Sequence, residues 1–195
     1  MEELIPGVFH WTAYRDTIGQ DVHSYYVVGA RAVIDPMLPD EGLGWFEGER
    51  HPDCVVLSQR HHWRDSAAFG VPVRCQEDGA RLLAPDRPSE PFAYGDEPAP
   101  GIVAYPVWAA GWPGETALHL SHAGAVVLAD AVIRDASGAL AFVPDQFLGD
   151  DAGEAKRELS AGLTRLLDLD FDALLLAHGD PVASGGKDEL SRFLA

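Results

Sequence analysis

Basic residues are scarce in this chain of 195 residues. Lysine and arginine together number 14 against 31 aspartates and glutamates, so the formal net charge is -17 at pH 7. A surface this acidic repels the phosphates of nucleic acids and the headgroups of anionic lipids. We therefore expect neither a nucleic acid nor a membrane among the partners of this protein.

Long apolar runs are missing, and cysteine is rare. No stretch approaches the length of about 20 apolar residues that a membrane span needs, and the first residues lack the basic and apolar regions of a signal peptide. Cys54 and Cys75 both lie in apolar, strand-like runs, which favours buried free thiols over a disulfide. These features predict a cytoplasmic protein, and the length is typical of a single domain spanning residues 1–195.

The sequence also lacks a glycine-rich phosphate-binding loop, a Gly-x-Ser-x-Gly elbow and a Cys-His pair. It does contain several apolar runs that predict strands. Residues 22–28 and 31–35 are separated by two small residues, which predicts a tight hairpin. Residues 55–57 form a continuous apolar run, typical of a strand buried on both faces. Residues 151–168 have apolar positions at helical spacing and predict a long helix.

The potential chemistry is concentrated in residues 58–69, directly after the apolar run 55–57. The middle of this stretch contains two histidines, two arginines, a tryptophan and an aspartate. Three more polar residues, Asp35, Asp130 and His178, each follow a predicted strand. Because ligands of α/β proteins bind at the carboxyl ends of strands, we expect these groups to meet at one edge of a sheet. Histidine and carboxylate side chains suit Zn, Fe or Mn.

The order and spacing of these pieces resemble the metallo-β-lactamase superfamily. In that family a strand ends in Asp, and Thr-His-x-His-x-Asp-His, Gly-His-Thr-Pro-Gly, Gly-Asp and Gly-His-Gly follow in turn. The corresponding segments here are residues 34–36, 58–65, 110–115, 129–130 and 177–179. The resemblance covers almost the whole chain. It implies an α/β fold, an αββα sandwich of two mixed β-sheets with helices on the outer faces.

The second motif fits this sequence in two registers, and several metal ligands are replaced in both. In the first register His62 keeps the second histidine, and the replaced positions hold Arg60, Arg64 and Asp65. In the second register His61 keeps that histidine, Ser58 stands for the threonine, and the replaced positions hold Gln59, Trp63 and Arg64. In the third motif Gly111 or Trp112 stands where the family has a histidine ligand.

These replacements imply that the dinuclear metal chemistry of the family is lost. An arginine offers no acceptor to a metal ion, and its fixed positive charge opposes a nearby dication. By resemblance, Asp130 matches the bridging aspartate and His178 the last ligand. With His62 and Asp65 they are the predicted catalytic residues, and the predicted ligands if a metal is bound. The favoured interpretation is that the site binds metal weakly or not at all and forms a network in which Arg60 and Arg64 pair with Asp65 and Asp130.

The resemblance predicts a hydrolase-like protein with a degenerate active site. One alternative is a mononuclear metal-dependent hydrolase of a small ester, thioester or lactone. The other is a non-catalytic protein that binds a small anionic molecule or a protein partner. The predicted cofactor is therefore either none or a single divalent ion of Zn, Fe or Mn. The predicted ligand-binding residues are Arg60, His61, Trp63, Arg64 and Trp112.

Overall fold

A computed structural model of the chain describes residues 1–108 and 112–195. The strands in these ranges are β1 (Glu2–Ile5), β2 (Val8–Arg15), β3 (Gln20–Val27), β4 (Ala32–Ile34), β5 (Cys54–Leu57), β6 (Val73–Gln76), β7 (Glu90–Phe92), β8 (Ile102–Trp108), β9 (Glu115–Leu120), β10 (Ala125–Leu128), β11 (Val132–Arg134), β12 (Leu140–Phe142) and β13 (Ala173–Leu176). The α-helices are α1 (Glu77–Ala80), α2 (Ala152–Leu166) and α3 (Gly186–Leu194). Short 3-10 helices span Leu43–Phe46, Gly48–Arg50, Arg60–Trp63, Ser66–Phe69 and Asp145–Phe147.

Two mixed sheets form the centre of the fold. Strands β1 to β7 lie side by side in chain order, antiparallel from β1 to β4 and parallel from β4 to β7. The second sheet has the order β13-β10-β9-β8, and its β10-β13 pair is parallel. The predicted sandwich of two mixed sheets is confirmed, as is the tight hairpin between β3 and β4.

Apolar side chains fill three layers. One lies between the sheets and contains residues such as Ile34, Leu118 and Leu175. The second lies between the smaller sheet and α2, whose Leu159 and Leu163 are fully buried. The third covers the outer face of the larger sheet with side chains from the short 3-10 helices rather than from long α-helices.

One predicted helix is shorter than expected. Residues 77–84 read as a helix that Pro85 ends, but the α-helix stops at Ala80. Gly79 lies inside this segment, and glycine lowers helix stability by about 1 kcal/mol relative to alanine. Its lack of a side chain is needed here, because a Cβ would lie 3.2 Å from the Cys75 sulfur. Close packing therefore outweighs helix propensity at this position.

Two further expectations concern the cell compartment. Cys54 and Cys75 are both free and buried. In the two described ranges, none of the helices combines the length and the apolar character needed to cross a bilayer. The segment 110–115, which corresponds to the third family motif, begins outside the described residues.

Candidate active site

Four polar segments extend from the carboxyl ends of parallel strands. Asp35 directly follows β4, and Ser58 directly follows β5, the next strand in the sheet. Asp130 and His178 each lie two residues beyond the ends of β10 and β13, which are also paired in parallel. Because the two strands of a parallel pair end at the same edge, these residues are brought together from distant parts of the chain.

His62 is at the centre of the site, with only 2% of its surface exposed. Its Nδ1 lies 2.9 Å from Asp35 Oδ2, and its Nε2 lies 3.0 Å from Asp130 Oδ1. His178 Nε2 lies 3.2 Å from the same Asp130 oxygen. His62, Asp130 and His178 each offer one ligand atom, and these atoms all lie within 4.8 Å of one another.

The charges in this cluster stabilise one another. Burial lowers the pKa of His62, but the carboxylates of Asp130 and Asp35 outweigh burial and raise this pKa to about 9. Burial raises the pKa of Asp130, but His62 and His178 outweigh it and hold this pKa well below its usual range. Without a metal ion, His62 is therefore a cation between two carboxylates at neutral pH.

Each of the three clustered side chains has a further partner that orients it. Asp35, which contacts His62, accepts hydrogen bonds from the Ser58 backbone N–H at 2.9 Å and from the Ser58 hydroxyl. Asp130 Oδ2 accepts from Gln59 Nε2 at 3.0 Å. His178 Nδ1 lies 3.1 Å from Gln20 Nε2, on the first residue of β3.

A buried glutamate holds the loop that carries Asp130. Glu115 is 0% exposed, and its Oε1 accepts from the backbone N–H groups of Asp130 and Ala131 at 3.1 and 2.9 Å. Burial, together with the charge of Asp130, raises the pKa of Glu115 to about 8. This carboxyl group therefore anchors the end of β10 below the site.

The structure combines features of both predicted registers. Ser58 and Gln59, which the second register places at motif positions, contact Asp35 and Asp130 respectively. His62, the histidine of the first register, nevertheless enters the site while His61 is exposed. The local cause is the backbone of the 3-10 turn Arg60–Trp63, where His62 leaves helical geometry with φ -89° and ψ 19°.

Asp65 does not join the cluster that its sequence position suggested. Its Oδ2 accepts a hydrogen bond from the Leu38 backbone N–H at 2.8 Å, and its own N–H donates to the Pro36 carbonyl. Asp65 therefore braces the loop that follows Asp35. Asp35, rather than Asp65, is the second carboxylate that contacts His62.

Arg64 makes backbone contacts in place of the predicted pair with an aspartate, and a buried nitrogen of Arg60 has no hydrogen-bond partner. Arg64 has a left-handed backbone with φ 41°, and its Nη1 donates to the carbonyls of His23 and Asp35 at 2.9 and 2.7 Å. Arg60 is half-buried, and its Cβ lies 3.6 Å from where a Cβ on Gly79 would stand. The carboxylate of Asp130 is instead bonded to histidines and to Gln59.

The other predicted ligand-binding residues lie at different depths. Trp63 is 5% exposed and packs in the outer apolar layer of the larger sheet. Trp112 is half-buried against the apolar layer of the smaller sheet. Gly111, the other residue at the third-motif position, lies outside the described residues. Sequence reasoning did not select Gln20, Gln59 or Glu115 as site residues. Of these, Gln59 and Glu115 lie within segments that correspond to family motifs, whereas Gln20 does not.

The three clustered residues fit one metal ion. An ion about 2.1 Å from each of three ligands in tetrahedral geometry sets the ligand atoms about 3.4 Å apart. The distances of 3.0 and 3.2 Å around Asp130 Oδ1 differ from this value by a few tenths of an ångström. The positions that the second register compares with the other family ligands hold an amide that donates to Asp130, a tryptophan of the outer apolar layer and an arginine bonded to two carbonyls.

Comparisons with known proteins were made by sequence and by structure. No protein-family model matches the chain, and no curated protein matches its sequence. Solved structures do match over almost its full length.

A metallo-β-lactamase from Pontibacter korlensis has a TM-score of 0.68 at 18% identity, with 96% of this chain and 93% of that chain covered. The metallo-β-lactamase FIM-1 from Pseudomonas aeruginosa, in a mono-zinc form, has a TM-score of 0.68 at 14% identity, with 97% and 91% covered. A protein in a di-iron-bound form has a TM-score of 0.66 at 20% identity, with 91% and 96% covered. Together with the two mixed sheets, these likenesses show that the chain has the metallo-β-lactamase fold.

Proposed function

We propose that this protein is a hydrolase-like enzyme whose active site holds one divalent metal ion on His62, Asp130 and His178. The observation that carries the proposal is the convergence of three ligand atoms within 4.8 Å at the carboxyl ends of strands. The structural neighbours include a mono-zinc protein and a di-iron protein, which supports metal chemistry in this fold.

The partners of His62 support a role as a metal ligand. A metal-binding histidine nearly always has its second ring nitrogen bonded to a carboxylate, a carbonyl or a water, which fixes the ring and its tautomer. His62 Nδ1 contacts the Asp35 carboxylate in this way. His178 Nδ1 instead lies 3.1 Å from the Gln20 amide nitrogen, so the Gln20 amide has to turn and present its oxygen when His178 Nε2 binds an ion. Both rings direct Nε2 towards Asp130.

The replaced positions support the loss of dinuclear chemistry. Gln59 donates its amide to Asp130, and Trp63 is part of an apolar layer. The guanidinium of Arg64 is positively charged and is held by two backbone carbonyls. A second dication would therefore find a fixed positive charge and no imidazole or carboxylate at these positions.

The chemistry follows from these positions. A divalent ion held by these residues would supply an activated water and polarise a carbonyl oxygen. His62, Asp130 and His178 would hold it as three protein ligands, the number found in catalytic zinc sites. Asp35 holds the His62 ring, while Gln59 holds the second oxygen of Asp130 in place. We propose a small ester, thioester or lactone as the substrate class.

A second candidate is a metal-free binding protein for a small anionic molecule. The observation in its favour is that the ligand atoms lie at hydrogen-bond distance from one another, so they satisfy each other without an ion. Buried nitrogens of Arg60 and Arg64 also have no hydrogen-bond partner, which leaves donors for an anion.

The free, buried thiols of Cys54 and Cys75 support the proposal of a reducing compartment, such as the cytoplasm. The pKa values of both thiols are raised by burial, so neither is a ready nucleophile. We propose that they serve as packing residues.

Metal content tests the first candidate against the second. Protein purified without chelator should contain about one equivalent of Zn, Fe or Mn, and the chelated protein should rebind about one equivalent in a calorimetric titration. Hydrolysis of a panel of esters, thioesters and lactones should depend on that ion. Metal below about a tenth of an equivalent after incubation would support the anion-binding candidate instead.

A matched pair of variants assigns the ion to the cluster. The Asp130→Asn variant removes the carboxylate that joins both histidines and should abolish stoichiometric binding. Asp135→Asn makes the same change of charge in the exposed turn after β11, where the carboxylate bonds Ser137, and should leave binding unchanged. Equal metal content in the two variants would show that the ion binds elsewhere.

A further inference from the structure

A second cluster of potential ligands lies away from the His62 site, at the start of the larger sheet. A cavity of about 380 Å³ is lined by residues of β1, of β2 and of the loop after β4. Three acidic residues, Glu2, Asp40 and Glu41, lie on its wall, and His10 forms part of its lining. Its charged lining makes it a polar cavity.

His10 is the unusual member of this wall. It is 8% exposed, and its Nδ1 is buried without a hydrogen-bond partner. The nearest carboxylate oxygen, Glu2 Oε1, lies 3.8 Å from this nitrogen, which is too far for a hydrogen bond. A buried polar atom without a partner is rare in proteins, and its usual partner is then an ordered water or an ion.

The contact on the other side of the ring determines what His10 can offer. His10 Nε2 lies 2.7 Å from His23 Nδ1, so one proton is shared between these two nitrogens. When that proton is on His10 Nε2, the Nδ1 of His10 carries a free lone pair. Burial lowers the pKa of His10, which favours the neutral ring that this tautomer requires.

The separation of the two groups suits a shared ion. A transition-metal ion binds an imidazole nitrogen and a carboxylate oxygen at about 2.1 Å each, so in tetrahedral geometry the two atoms lie about 3.4 Å apart. The distance of 3.8 Å between His10 Nδ1 and Glu2 Oε1 exceeds this value by a few tenths of an ångström. The side chain of Glu2 is 75% exposed and can adjust its position, whereas His10 is held by its packing against His23 and Tyr25.

We propose that His10 and Glu2 bind a divalent transition-metal ion at a second site, with water completing its coordination. Imidazole with carboxylate is a ligand set that suits Zn and Cu. Glu41 is engaged elsewhere, because its Oε1 accepts from the Met1 amino group at 2.6 Å. This site does not depend on the function proposed for the His62 cluster.

Paramagnetic broadening by Cu²⁺ tests the site on the complete chain. In amide NMR spectra, Cu²⁺ should broaden the signals of Glu2 and Asp40 at lower concentration in the natural protein than in the Glu2→Gln variant, by about tenfold or more. Glu2 is exposed, so this substitution does not threaten the fold. Signals near Asp130 report on the first cluster in the same titration, so failure at one site is distinguishable from failure at the other.

Glu3→Gln is the matched control, because it removes the same charge from the neighbouring residue of β1. Glu3 Oε1 accepts a hydrogen bond from the Gly7 N–H and is not part of the cavity wall. Its Cu²⁺ dependence should equal that of the natural protein. The proposal is overturned if Asp40 is not broadened at saturating Cu²⁺, or if Glu2→Gln and Glu3→Gln weaken the response equally, since an acidic surface alone would produce that result.

Discussion

The buried contact between Asp35 and His62 leads to the sharpest prediction about this fold. Asp35 is 1% exposed, and its carboxylate accepts from the His62 ring and from both the N–H and the hydroxyl of Ser58. Its backbone φ is 49°, a conformation that asparagine tolerates nearly as well as aspartate. The Asp35→Asn variant therefore removes the charge and leaves the backbone and the volume almost unchanged.

The magnitude follows from what the amide cannot do. Asparagine has one acceptor oxygen, which can keep the Ser58 N–H, and its NH₂ group then faces the N–H of His62. The variant thus leaves the buried imidazolium with Asp130 as its one remaining carboxylate. The loss is therefore at most the value of about 3–5 kcal/mol that breaking a buried ion pair costs. Since domains of this kind are stable by about 5–15 kcal/mol, the variant should still fold.

Urea unfolding in the presence of a chelator measures this loss without interference from metal. The midpoint should fall while the slope stays constant, because the surface exposed on unfolding is unchanged. Asp53→Asn is the matched control, since Asp53 pairs with Arg31 at 3.0 Å while the side chains are 66% and 40% exposed. A surface pair of this kind contributes about 0–1 kcal/mol.

The pH dependence of the free energy of unfolding tests the same contact between Asp35 and His62. The pKa of His62 in the folded protein is raised to about 9, against about 6.5 for an unfolded histidine. The stabilisation is therefore fully present below pH 6.5 and is lost as the pH rises through 9. The difference between the natural protein and Asp35→Asn should shrink over this range. A loss below about 1 kcal/mol, equal to that of Asp53→Asn, would refute the reasoning.

Three other predictions concern residues outside the cluster. Burial, with His10 beside it, lowers the pKa of His23 to about 4. The stabilisation from neutral His23 is therefore complete above pH 6.5 and is lost, by about 3 kcal/mol, as the pH falls through 4. A pKa near 6.5 for His23 in an NMR titration would contradict this. Burial raises the pKa of Cys75 to about 12, so the Cys75 thiol should resist iodoacetamide until the protein unfolds. Rapid labelling of Cys75 in the native protein would show that this thiol is not buried. Gly162→Ala should lower the free energy of unfolding by about 1–3 kcal/mol or more, because the added Cβ would lie 1.9 Å from the Val107 carbonyl oxygen. Gly29→Ala is the control, because its Cβ meets nothing within 4 Å and stability should change little. Equal urea midpoints for the two variants would refute the clash.

The strand ends were predictable because strands that are buried on both faces appear in the sequence as continuous apolar runs. The apolar runs that became β5 and β13 are buried on both faces, so their ends could be located and their following residues predicted as site residues. The long helix predicted at 151–168 spans Ala152–Leu166, with Asp151 accepting from the Glu154 N–H as its N-cap. That the chain forms a single domain stays a prediction.

The partners of the site could not be predicted, because they depend on contacts between distant segments. Gln20 reaches His178 across 158 positions, and nothing at the end of a hairpin marks a glutamine as a contact of a histidine. The choice between His61 and His62 depends on one irregular backbone angle within a short turn. Asp65 has the right residue type for a ligand, but the turn directs its carboxylate to the Leu38 N–H.

The charges around the cluster limit how many ions it can accept. Asp35 and Asp130 carry two negative charges on either side of His62, and that charge is balanced by one dication or by the imidazolium together with Arg64. A second dication would leave an excess of positive charge in a buried site, where charge repulsion is weakly screened. If dinuclear binding is lost as proposed, restoring single ligands should not restore it while Arg64 remains. Replacing Arg64 with histidine, together with Gln59→His, is the smallest change that supplies imidazoles at two of the replaced positions and removes that charge.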